Sequence, residues 1–197
     1  MCRLFETIRV VDGKPLHLDY HAARMNRSRQ KLFGCTDLVD LEQVLRSAGR
    51  SGPGIEKCRV VYGREVCTVA SEPYTPRVVR SLTLVDCDSI TYEHKFVDRS
   101  CFDDLLRDVK TDDILVVKNG CITDASFASV VFHDGSRWLT PATPLLPGTA
   151  RARLLQSGEI AEREIRKADL RHFRKAALIN AMIGIDHGAT IAMEDIV

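Results

Sequence analysis

Three dipeptides that favour tight reversals, Asp12-Gly13, Asn119-Gly120 and Asp134-Gly135, each stand between short apolar runs. Asn-Gly and Asp-Gly readily adopt the positive φ that two-residue hairpins require. A chain punctuated this way pairs neighbouring strands antiparallel, because so short a connection cannot carry a parallel crossover. Between these hairpins the apolar spacing changes to that of helices. The pattern therefore predicts an α+β protein with mostly antiparallel pairing.

Along the chain, Leu4 to Val11 reads as a strand, and Pro15-Leu16-His17-Leu18 as its return across Asp12-Gly13. Asp19 is a candidate cap for a helix carrying His21, Arg24, Met25, Ser28 and Leu32, with Gly34 as its stop. A second helix is expected from Asp40 to Ala48, then a turn at Ser51-Gly52-Pro53-Gly54. Strands Lys57–Tyr62 and Val66–Ala70 follow, joined at Gly63. The proline-bearing stretch Glu72 to Pro76 reads as a linker and divides the chain into lobes 1–76 and 77–197.

In the second lobe the pattern predicts a strand Ser81–Val85 and a helix Val97–Val109, with Phe102, Leu105, Leu106 and Val109 on one face. Two hairpins, Ile114–Val117 with Cys121–Thr123 and Val130–Phe132 with Trp138–Thr140, come next. A helix over Thr149–Gln156, a strand Arg163–Ile165, a helix Ala168–Phe173 and a strand Ala177–Ala181 complete it.

The 28 Lys and Arg nearly balance the 27 Asp and Glu, for a net charge of +1. This argues against nucleic-acid binding through bulk charge. No apolar run approaches the roughly 18 residues of a membrane span, and the charged residues Arg3, Glu6 and Arg9 do not suit a signal peptide. The seven scattered cysteines contain no Cys-x-x-Cys pair, so a zinc site or secreted disulfide framework is not expected, and the protein reads as cytoplasmic.

Four local patterns can carry chemistry. Lys95 lies in a short polar stretch between strand and helix. Alone it reads as a solvated lysine, and a reactive amine would need burial or nearby cations such as Arg99 to depress its pKa. Asp124 leaves a strand and enters a run of small residues, where a flat ligand could approach the backbone; alone it reads as a cap. Leu145 to Arg151 opens a helix through Pro147-Gly148, and unsatisfied N–H groups at such a start suit a phosphate. His21 and Arg24 share one helix face, by themselves a solvated basic face.

The order and spacing of these patterns resemble the class IV aminotransferase family of pyridoxal-phosphate (PLP) enzymes, which includes branched-chain and D-amino acid aminotransferases and 4-amino-4-deoxychorismate lyase. The resemblance runs through Leu4 to Arg9, Asp12-Gly13, His21 to Arg24, Lys95, Ile122 to Ser126, Leu146 to Arg151 and Leu178 to Ala181. It implies a two-lobed fold and a homodimer acting on a small amino substrate, with no nucleic-acid or membrane partner. Lys95 would hold PLP covalently and move the substrate proton. Asp124 would pair with the ring nitrogen. Arg24, Gly148, Thr149 and Ala150 would hold the phosphate, with Asn180 and Ala181 at its border. Arg3 and Tyr92 would lie on the substrate side.

Departures from the family pattern are equally specific. The family's first strand has no counterpart, so an N-terminally shortened fold is expected, without the tyrosine that commonly precedes the second strand. Asp124 stands for the usual glutamate, Ser129 for an asparagine, and Met182 for a hydroxyl residue. Lys95 with Asp98-Arg99, and Asn180-Ala181, are more similar to the lyase branch than to the branched-chain transaminases. Lyase-like chemistry is the expectation. D- or L-amino acid transamination and an inactive family member acting as a binding protein are alternatives, as is a cysteine enzyme pairing Cys87, Cys101 or Cys121 with His94 or His133.

Overall fold

A computed structural model describes residues 2–48, 52–186 and 188–197. Ser51 of the expected turn lies outside the described residues. Contacts group the chain into two compact units, Met1–Pro76 with His94–Asp98, and Arg77–Glu93 with Arg99–Val197.

The first unit is built on alternation. Strand β1 (Leu4–Val11) turns at Asp12-Gly13, both at positive φ, into a two-residue β2 (Lys14–Pro15). The return strand expected through Leu18 ends early: His17 takes a left-handed conformation and helix α1 (Leu18–Phe33) starts directly after it. Asp19 is thus not the cap but a first-turn acid, where its charge complements the helix dipole. Gly34 ends α1 at φ 66, donating its N–H to Gln30. Helix α2 (Leu41–Ser47) is capped by Asp40, which accepts from Gln43 N–H.

Strands β3 (Ile55–Tyr62) and β4 (Val66–Pro73) complete an antiparallel sheet of order β2-β1-β3-β4. Pairing reaches Pro73 opposite Glu56, so the strand invades the expected linker. A proline is tolerated there because β4 is an edge strand. Leu4, Ile8 and Val10 of β1 and Cys58, Val60 and Tyr62 of β3 share one face and bury it against Met25 of α1 and Leu41 of α2.

The helix expected from Val97 begins only at Ser100. The segment His94–Asp98 is instead held in the first unit, where Phe96 N–H closes a tight turn by donating to His94 C=O at 2.9 Å. Phe5 N–H donates to Lys95 C=O at 2.9 Å, Val97 N–H donates to Arg3 C=O at 2.9 Å, and Leu4 bridges Phe96 antiparallel. The first helical bonds are those from Phe102 and Asp103 N–H to Arg99 C=O, so the helix starts beyond this segment. By these contacts Lys95 belongs to the first unit, rather than to the 77–197 lobe in which the sequence reading placed it.

The second unit starts with β5 (Leu82–Asp86) and α3 (Ser100–Leu106). β5 runs parallel to β6 (Asp113–Lys118), which turns at Asn119-Gly120 into β7 (Cys121–Ala125). Then come β8 (Ser129–His133), β9 (Trp138–Pro141), α4 (Thr149–Gln156), β10 (Ile160–Arg163), β11 (Lys175–Ile179) and β12 (Thr190–Ala192). The expected strand Arg163–Ile165 lies earlier, as β10. The expected helix Ala168–Phe173 is a 3₁₀ turn over Lys167–His172, the strand expected at Ala177–Ala181 stops at Ile179, and β12 was not anticipated. The sheet order is β10-β9-β8-β7-β6-β5, with β11 paired to both β8 and β12.

β8 and β11 bury both faces. Val130, Phe132, Ala176 and Leu178 enter one core, while Val131, Ala177 and Ile179 meet Leu154 of α4 and Ile160 of β10 on the other. Continuous apolar runs are what a strand covered on two sides requires. Phe132→Ala should therefore cost about 3–5 kcal/mol, whereas Leu38→Ala, at a position 80% exposed, should stay within about 0.5 kcal/mol; urea unfolding checks both.

Candidate active site

Glu6 occupies the core phase of β1, between Leu4 and Ile8, and is fully buried. Two residues of α1, a turn apart, turn towards it. Arg24 approaches side-on, Nε to Oε1 at 3.0 Å and one terminal nitrogen to Oε2 at 2.5 Å. His21 Nδ1 donates to Oε2 at 2.7 Å. Burial works against ionisation of this carboxyl, but the Arg24 charge and the hydrogen bonds from His21 and Arg24 outweigh it and hold the pKa at about 2. His21 and Arg24 are both buried, so the solvated basic face read from the sequence is corrected. The resemblance implies a place for Glu6 beside Arg3 on the substrate side; its pairing with Arg24 and His21 was not anticipated, and the signal for it was a charge in phase with apolar neighbours two residues away on either side.

The same face of α1 continues to Ser28, whose hydroxyl shares a 2.9 Å hydrogen bond with His94 Nδ1. Tyr62 is buried there too; burial first, then the Glu6 charge, pushes its phenol well above the usual range. Lys95 follows His94, at the centre of a tight turn that Phe96 N–H closes by donating to His94 C=O at 2.9 Å. Its Nζ sits 4.7 Å from the centre of the Phe5 ring, and the Arg59 guanidinium lies 4.0 Å from that same ring. Arg3 is exposed at the start of β1.

In the second unit, Asp124 sits near the end of β7, opposite Ser129 of β8. Its Oδ2 accepts from the backbone N–H groups of Leu145 (2.6 Å) and Leu146 (3.1 Å), which fastens the loop leading into α4. Its Oδ1 is buried without a hydrogen-bond partner. Burial pushes the carboxyl up to about 6, against the Leu146 N–H, the Ser129 hydroxyl and the Leu145 N–H, which lower it. A buried acceptor oxygen of this kind suits a cationic N–H donor, so the residue fits a protonated pyridine ring.

α4 begins as expected. Gly148 is its cap, and Thr149 and Ala150 are buried at its first positions. A Cβ on Gly148 would stand 2.9 Å from Ser129 Oγ, so this start packs closely on β8. Arg151 is buried and bonds Pro141 C=O and Glu162. Asn180 follows β11, and its side-chain oxygen accepts from Met182 and Ile183 N–H, shaping the turn that holds Ala181. Tyr92 is buried with its ring 4.9 Å from Phe102, edge to face. His133 accepts from Gly135 N–H and packs on Trp138. Among the described residues no cluster suits a metal ion, and no helix of the structure is long and apolar enough to cross a membrane.

Comparison with known proteins gives a coherent picture. The family model for class IV amino-transferases matches residues 3–186. An uncharacterized protein of Haemophilus influenzae is 34% identical over 188 residues, covering 94% of this chain and 100% of that protein. A solved structure from Haemophilus somnus, provisionally named a 4-amino-4-deoxychorismate lyase, is 33% identical with a TM-score of 0.86, covering 96% and 98% of the two chains. A structure from Mesorhizobium loti, provisionally named an amino-acid aminotransferase, shares the fold at 24% identity and a TM-score of 0.83, with both chains fully covered.

Two outcomes follow from these carboxylates. Glu6 has a depressed pKa, so its stabilisation is present above its ordinary value near 4.5 and is lost as the pH falls towards 2. Glu6→Gln leaves Arg24 buried opposite a neutral amide and should cost about 3–5 kcal/mol at pH 7; the gap from the parent should narrow in acid titrations below pH 4.5. Asp124 has the opposite sign. Its raised pKa favours the protonated form, so stability is lost as the pH rises from 3.8 through about 6. Asp124→Asn should therefore stabilise the cofactor-free protein at pH 8 by on the order of 2 kcal/mol, measured by denaturant unfolding, while weakening PLP retention.

Proposed function

We propose, for a chain that belongs to the class IV aminotransferase family of PLP-dependent enzymes, a lyase activity of the 4-amino-4-deoxychorismate type. The observation that carries the cofactor assignment is Asp124, a buried carboxylate with one oxygen fixed by two backbone donors and the other without a partner. The full-length likeness to the Haemophilus somnus protein supports the lyase reading.

Bound PLP would supply an electron sink for a carbanion next to the substrate nitrogen. In this reading Asp124 Oδ1 accepts the ring N–H and, held ionised by that positive charge, keeps the ring protonated. Arg24, fixed side-on by Glu6, brings positive charge to the phosphate. The backbone at Gly148, Thr149 and Ala150 offers N–H donors to that group, with Asn180 and Ala181 bordering it. Lys95 Nζ would hold the cofactor covalently and, as a free amine, would take the proton from the substrate carbon and deliver it to the departing three-carbon fragment. Arg3 binds a substrate carboxylate, and Tyr92 lines the substrate side. Elimination of pyruvate from 4-amino-4-deoxychorismate then leaves an aromatic amino acid. The enzyme is read as a cytoplasmic homodimer, and light scattering that gives a monomer mass would count against the dimer.

Purified protein mixed with PLP should develop an absorption band near the visible edge, and borohydride should fix the cofactor on Lys95. Lys95→Ala should abolish both. A panel of amine donors and keto acids that includes aminodeoxychorismate should release pyruvate from that compound alone. Turnover of amino-acid and keto-acid pairs without pyruvate release would replace the lyase with a transaminase, and a protein that stays colourless would remove the PLP assignment of these residues.

A further inference from the structure

The stretch carrying Lys95 lies outside the named strands and meets β1 through the Leu4–Phe96 bridge. Its backbone is tied to the start of the chain by the Phe5-to-Lys95 and Val97-to-Arg3 hydrogen bonds. Within it, Phe96 N–H donates to His94 C=O at 2.9 Å, a tight turn with Lys95 at its centre. The direction in which Lys95 Nζ leaves the backbone, towards the Phe5 ring, therefore depends on how the ends of that turn are held.

One end of the turn is His94. His94 is buried, bonds Ser28 Oγ through Nδ1 at 2.9 Å, and meets Phe96 edge to face at 5.9 Å. Ser28 stands one turn beyond Arg24 on a face of α1 that also presents His21, and Glu6 anchors that face to β1 through His21 and Arg24. The helix is thus pinned to β1 at one end of the stripe and grips the lysine segment at the other.

We infer that His94, held by Ser28, is a positioning residue for Lys95, fixing the direction in which its amine leaves the backbone. This rests on the reading of Lys95 as the PLP lysine, but the positioning itself concerns only this chain. A buried hydrogen bond anchors the reactive amine from behind, as preorganised sites require.

The test uses cofactor-free full-length protein and reductive methylation with formaldehyde at one fixed pH, with labelling at each lysine followed by peptide mass spectrometry. The half-buried Lys95 should label more slowly than exposed Lys14 and Lys110. Ser28→Ala and His94→Leu should each speed labelling at Lys95 by about threefold to tenfold, towards the exposed lysines, and leave Lys14 and Lys110 unchanged. His94→Asn, which places a polar atom where Nδ1 stood, should restore most of the slow rate. Circular dichroism and melting report whether each variant folds, and Ser28→Ala is the gentler change should His94→Leu fail. Melting that falls without any change at Lys95 in the folded variants would make the His94–Ser28 bond merely structural and overturn the inference. Borohydride trapping of PLP elsewhere than Lys95 would instead remove the cofactor reading while leaving the labelling result to stand or fall alone.

Discussion

A carboxylate buried on the core face of a strand is the constraint around which the first unit is arranged. Taking Glu6 out of water is expensive, and only excellent pairing offsets that cost. Arg24 provides two directed hydrogen bonds and His21 a third, enough to keep the group ionised even in strongly acid solution. The geometry that satisfies Glu6 also fixes the rotation of α1 about its axis. That rotation sends Met25 into the apolar core and Ser28 towards His94. One buried ion pair thereby couples packing to the placement of the lysine segment.

The second unit treats its buried acid in the opposite way. Asp124 receives two backbone N–H groups on one oxygen, and burial raises its pKa despite these donors and the Arg151 charge. A structural acid would be better served by a nearby guanidinium, as Glu6 is. A carboxyl left partly unsatisfied is a cost that folding alone does not explain, and such costs gather where a protein meets a ligand. The contrast between Glu6 and Asp124 separates an acid paired with cations inside the fold from one whose second oxygen is buried without a hydrogen-bond partner.

Much of this was legible in the sequence because it is local. The Asp-Gly and Asn-Gly turns, β1, α2 with its Asp40 cap, and α4 from Thr149 to Gln156 all follow from positive φ, capping and short-range periodicity. The errors fall where long-range pairing overrides local preference. Val97 has a helical pattern around it but gives its N–H to Arg3 C=O beside β1, and the stretch around Tyr74 extends the β3–β4 pairing instead of looping away, with Tyr74 N–H bonded to Ile55 C=O. β12 is too short to announce itself and exists because β11 offers it an edge.

Residue order alone was enough for the family resemblance, because its motifs are short and their spacing is preserved along the chain. It did not determine which charges are buried. His21 and Arg24 by themselves read as a solvated basic face until the pairing of β1 with β3 and the docking of α1 place them with Glu6 in one dry space. Partnership between a strand residue and a helix residue fifteen or eighteen positions away is a property of the packed structure, since only there does the low dielectric make an unpaired charge too costly to leave alone.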